Sequence, residues 1–151
     1  TWARGQAWAI LSFGEVAKDT GQADILAADE KVADWYIAHL PSDSVPYWDF
    51  NDPAIPNAPR DTSSAAIAAS GLLDLSQQLG GKNSAAGVKY YNAAVNILTA
   101  LTSPAYENAS TSRDGLLLHG TANKPASSGV DSSLIYSDYY LLKAIGEYEA
   151  M

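Results

Sequence analysis

The chain has 151 residues, enough for one domain with a real core, and its 47% apolar and 17% charged residues exclude a disordered segment. A formal charge of −8, with no stripe of Lys or Arg, excludes nucleic acid as a partner. Cysteine is absent and the two histidines, His39 and His119, stand far apart, so disulfides, thiolate zinc sites and a histidine-rich metal site are excluded as well. No apolar stretch is long enough to span a bilayer, and no segment is expected to act as a signal peptide. The chain opens without Met directly on a patterned helix, which reads as a processed chain or a fragment.

Five helices are expected, in an all-α fold built from helical hairpins. The first, about Trp2 to Asp19, places Ala3, Ala7, Ile10, Gly14 and Ala17 at spacings of three and four, small residues that admit a close neighbour. Gly21 stops it. The second runs from about Ala23 to Leu40, with Leu26, Ala33, Ile37 and Leu40 on one face and Pro41 as terminator. A loop with four prolines follows, holding the extended segment Val45-Pro46-Tyr47-Trp48-Asp49-Phe50. There Trp48 and Phe50 are expected to pin the loop to the core, while Asp49 turns the backbone.

The third helix, about Ser63 to Leu79, starts behind Asp61, which reads as an N-cap paired with Arg60. The fourth shows the period Val88, Tyr91, Val95, Leu98 and Leu101 and stops before Pro104. Between Ser103 and Asp131 lies a long polar connection with one apolar island, Gly115 to His119, expected as a short strand. Asn108-Ala109-Ser110 is a glycosylation sequon, an acceptor only if the chain is secreted. The fifth helix, about Ser132 to Glu149, carries Leu134, Leu141, Ile145 and Tyr148 on one face. Asp138 falls on that same face and is expected to be a structural carboxylate bonded to backbone or to a Tyr.

Several strings, in one order, carry more information than their periodicity. They are Thr1-Trp2-Ala3-Arg4-Gly5-Gln6-Ala7-Trp8, Val45-Pro46-Tyr47-Trp48-Asp49-Phe50, the run Arg60 to Leu73, Leu117-Leu118-His119-Gly120, and the run Asp131 to Tyr140. Together they resemble glycoside hydrolase family 88, the unsaturated glucuronyl and galacturonyl hydrolases. The resemblance implies a six-hairpin (α/α) toroid, of which residues 1–151 would form a single unit, the C-terminal half. It implies removal of 4,5-unsaturated uronic acid from lyase-generated oligosaccharides. In that chemistry an aspartate protonates the vinyl ether, water adds, and the hemiketal opens. Neither metal nor organic cofactor is implied, and the compartment stays open between cytoplasm and export.

The family's two principal aspartates belong to motifs that no part of this sequence matches. No catalytic residue is therefore expected in this chain, and no turnover without the missing half. The candidate substrate-binding residues are Arg4, Trp8, His119 and Lys124. Arg4 and Trp8, one helical turn apart, would offer a guanidinium to a carboxylate and an indole to a pyranose. The resemblance places the loop of His119 and Lys124 near the mouth that receives the rest of the oligosaccharide. Gln6 lies on another face and reads as structural. Alternative readings are a non-catalytic module binding acidic carbohydrate, or a structural half-toroid whose cut apolar faces self-associate as a dimer.

Overall fold

The computed structural model describes residues 1–110 and 115–151; the remaining part of the Ser103–Asp131 connection, residues 111–114, lies outside the described residues. Five α-helices are present: α1 (Ala3–Thr20), α2 (Ala23–His39), α3 (Thr62–Gln78), α4 (Ala85–Leu101) and α5 (Ile135–Glu149), with a 3-10 turn at Gly81–Asn83 before α4. Helix α3 is the hub, packed by α1, α4 and α5, while α2 lies mainly against α1. Helices α1, α3 and α5 form one layer, backed by the return helices α2 and α4. That is part of an (α/α) toroid.

Local chemistry explains the ends. The first helix closes on Gly21, whose φ of 67° lets its N–H reach the Ala17 carbonyl. Asp61 caps α3 and Ser84 caps α4 through their side chains. The Ala-rich stripe of α1 is buried as its spacing predicts: Ala3, Ala7, Ile10, Gly14 and Ala17 all face inward. Helix α3 is buried almost all round, which its small residues allow. A Cβ on Gly71 would stand 2.9 Å from the Leu11 nitrogen, so α1 and α3 touch backbone to backbone there. Ile67, Leu72, Leu73 and Leu75 on α3 are fully buried with Ile10, Ile97 and Leu101, each side chain contributing about 2 kcal/mol.

Three expectations are corrected. Helix α5 begins at Ile135, not Ser132, because Ser132 exchanges backbone hydrogen bonds with Gly120 in an isolated antiparallel bridge. The island from Gly115 to His119 is not a strand. It makes only an isolated antiparallel bridge, Leu117 to Glu107, with Asn108 N–H on the Leu116 carbonyl and Leu118 N–H on the Tyr106 carbonyl. Asp138 takes Leu116 and Leu117 N–H, and Thr62 takes the Leu118 and His119 carbonyls. The core face of α4 runs through Gly87, Tyr90, Ala94, Ile97, Leu98 and Leu101. Of its expected stripe, Leu98 and Leu101 face that core, while the N-terminal part is turned to one flank, where Tyr91 stacks on Tyr148 and Val95 lines a groove beside α5.

Candidate functional site

The first turns of α1, α3 and α5 and the two long loops meet at one end of the molecule. Ala3 N–H bonds the Trp48 carbonyl, Trp48 N–H bonds the Pro59 carbonyl, and Asp61 N–H bonds the Pro46 carbonyl. These single bonds hold the Pro-rich loop against the start of α1 and α3. Phe50 anchors the loop below them, edge to face with Trp35 and Tyr36. Asp49 turns the backbone there, its Oδ1 accepting Asn51 N–H at 2.7 Å.

Arg4 sits at the centre of this end and is 7% exposed. Its Nη1 donates to Asp61 Oδ2 at 3.1 Å, Ser63 Oγ at 3.2 Å and the Thr121 carbonyl at 2.7 Å. Its Nη2 donates to the Ala122 carbonyl. The guanidinium carbon lies 5.0 Å from the Trp2 ring and 5.3 Å from the Tyr136 ring. Arg4 is thus a rivet between α1, the cap of α3 and the 121–122 backbone.

Asp61 is fully buried and accepts from Ser63 N–H, Ser63 Oγ and Thr121 N–H as well as from Arg4. Burial raises its carboxyl above the ordinary range, against the pull of Ser63, Arg4 and Thr121. The expected partnership of Asp61 with Arg60 is not formed. Arg60 instead pairs with Asp43 at 2.9 Å, lies over the Tyr47 ring and donates to the Val45 carbonyl.

One face of Arg4 borders a pocket of about 380 Å³ walled by Trp2, Trp48, Ala122, Asn123 and Pro125. The Trp48 indole N–H donates to Asp52, and Lys124 stands 3.3 Å from that carboxylate and 5.5 Å from the Trp48 ring. The Asp52 carboxyl is held below the usual range by Ala54 N–H first, then by Trp48 and Lys124. Lys124 therefore braces the Trp48 wall. The turn it belongs to closes with reciprocal backbone bonds between Asn123 and Ser128, each 3.0 Å.

The other two candidate residues stand apart from this wall. Trp8 does not line the pocket; it meets Tyr140 of α5 edge to face, centroids 5.2 Å apart. His119 has φ 59°, bonds Asp131 through Nδ1 and packs its ring edge on Tyr106. Sequence reasoning passed over Trp2, and of the 122–125 wall it named only Lys124. The signal for Trp2 was available: it precedes Arg4 in the same string, within reach of a stacked cation.

Asp138 is 8% exposed and accepts Leu116 N–H at 2.9 Å and Leu117 N–H at 3.0 Å. It is the structural carboxylate its place on the helix suggests, tying the apolar island to α5.

Comparison with known proteins bears on this arrangement. No protein-family model matches the chain. The unsaturated glucuronyl hydrolase of Formosa agariphila is 41% identical over 148 residues, covering 96% of this chain and 36% of that protein. The crystal structure of an unsaturated glucuronyl hydrolase specific for heparin superimposes with a TM-score of 0.91 at 35% identity, over 99% of this chain and 40% of that one. This chain belongs to the unsaturated glucuronyl hydrolase family. A variant of the Streptococcus agalactiae unsaturated glucuronyl hydrolase, in complex with dGlcA-GalNAc6S, is 30% identical with a TM-score of 0.90 over all of this chain and 40% of that one. The chain thus spans well under half the length of the unsaturated glucuronyl hydrolases it matches.

Proposed function

We propose that the chain is the C-terminal part of an unsaturated uronyl hydrolase, supplying sugar-binding walls while the proton donor comes from outside it. The observation that carries this is the pocket of Trp2, Arg4 and Trp48. Two indoles give apolar platforms for a pyranose, and a guanidinium with a nearby Lys124 ammonium favours a uronate. None of the pocket's wall residues is an acid able to protonate a vinyl ether. One relative is described as specific for heparin and another is in complex with dGlcA-GalNAc6S, which supports the proposed class, oligosaccharides that begin with an unsaturated uronic acid.

The test uses an unsaturated uronyl disaccharide and the ultraviolet absorbance of its double bond. With this chain alone the absorbance should persist, while calorimetry registers binding. Loss of absorbance would show that the chain is catalytic by itself. Neither binding nor turnover would remove the sugar site.

A second reading has its own observation. Ile135, Tyr139 and Leu142 form one exposed row along α5, 82%, 60% and 58% accessible, on the flank away from α3. Such a row calls for a cover, either the remaining part of the toroid or a second copy of this chain. On this reading the chain acts as a carbohydrate-binding or structural half that self-associates.

A further inference from the structure

The wedge where α1, α2 and α3 meet, far from the sugar pocket, holds a carboxyl group with no partner. Asp29 of α2 is fully buried, and neither of its carboxyl oxygens has a hydrogen-bond partner among the described residues. It fits because residue 14 is glycine: a Cβ there would stand 3.1 Å from Asp29 Oδ2, 3.5 Å from Asp74 Oδ2 and 3.7 Å from Gln78 Nε2. The other buried aspartates differ, since Asp52, Asp61 and Asp138 each accept from at least two donors.

The surrounding charges give an ionised Asp29 no relief. From α1, Lys18 is committed to Asp74 at 2.9 Å. From α3, Asp74 is a like charge, and Gln78 spends its amide on Asp74 and the Gly14 carbonyl. On α2 itself, Glu30 is a second like charge, and Asp34 takes the Lys89 ammonium and the Tyr90 hydroxyl of α4. Both nearby cations are therefore claimed by other carboxylates.

We propose that Asp29 is a pH-sensitive latch: neutral, it lets α2 close on Gly14 and α3, and ionised, it forces the wedge apart. Burial first, then Asp74 and Glu30, push its carboxyl up from 3.8 to about 8. Between those values the folded chain keeps a proton that the unfolded chain has released. Stability is thus greatest below the unfolded value and is lost as pH rises, the folding equilibrium weakening up to about tenfold per pH unit until about pH 8.

The experiment needs no sugar and stands apart from the proposed activity. Urea unfolding of the chain between about pH 5 and pH 9 should show the folding equilibrium weakening with pH, and Asp29→Asn should flatten that decline. Parallel pH profiles in the two proteins would overturn the latch. Should Asp29→Asn fail to fold, carbon-13 spectra of the wild-type carboxyl groups decide instead. A resonance assigned to Asp29 that titrates near pH 8 supports the proposal, and titration of that resonance below about pH 5 overturns it.

Discussion

Arg4 and Asp61 form an ion pair at 3.1 Å that joins the first turn of α1 to the N-cap of α3, 57 residues away. Both side chains are almost wholly enclosed, so the pair is screened little by salt. Asp61 has three jobs at once: it caps α3, neutralises Arg4 and holds Thr121 N–H. The pocket's outer wall continues directly from that backbone.

Asp61→Ala should therefore be among the most damaging single changes in the chain. It leaves a buried guanidinium without its counter-charge and removes a helix cap. Breaking one side of such a pair costs about 3–5 kcal/mol. Chemical denaturation should show a loss of that size, with Asp61→Asn less severe because a cap acceptor survives. A loss below about 1 kcal/mol for the alanine variant would mean Arg4 is satisfied by carbonyls alone.

Gly71→Ala tests the contact between α1 and α3. Helix propensity would favour alanine by about 1 kcal/mol. The added Cβ, however, would lie 2.9 Å from Leu11 nitrogen and 2.9 Å from Ile10 Cγ2. Backbone cannot yield as a flexible side chain does, so overpacking of about 1–3 kcal/mol should win. The melting temperature should fall, and a rise would place α1 farther from α3 than the structure does.

What the sequence made legible was local. The stripe on α1, the Asp61 cap and the stop at Gly21 each depend on residues within one or two turns. The phase of α4 was legible at Leu98 and Leu101 but not in its first turns, because Tyr90 and Tyr91 are both apolar enough to face a core, and the neighbouring α3 decides between them. Nor was the start of α5, since Ser132 is withheld from the helix by Gly120, twelve residues earlier. The commitment of Arg4 depended on carbonyls more than a hundred positions on. Strings shared with a family located the site's neighbourhood; only the folded backbone separates Arg4, beside Trp2 and Trp48, from Trp8, beside Tyr140.

The exposed row on α5 makes a prediction about assembly. Ile135, Tyr139 and Leu142 lie three and four residues apart on one flank, and Gly146 continues the row with nothing near its Cβ position. A ridge beside a glycine suits close helix packing. Light scattering of the 16.0 kDa chain should give a mass above the monomer's at high concentration. The double variant Ile135→Glu, Leu142→Glu should restore the monomer with unchanged helix content. A wild-type chain that stays monomeric would rule out a second copy as the cover.

Asp138→Asn separates a structural carboxylate from a ligand-binding one. Both Asp138 oxygens accept backbone N–H groups, one each from Leu116 and Leu117. An asparagine keeps one acceptor and turns its amino group toward the other donor, leaving a buried N–H unpaired. That costs about 1–3 kcal/mol, and the charge that suits the first turn of α5 is lost too. The variant should melt earlier, while its affinity for an unsaturated uronyl disaccharide, measured where it is still folded, should match the wild type. Asp138 is not among the residues that wall the pocket of Trp2 and Trp48. Unchanged stability with lost affinity would reverse the assignment and make Asp138 a sugar contact.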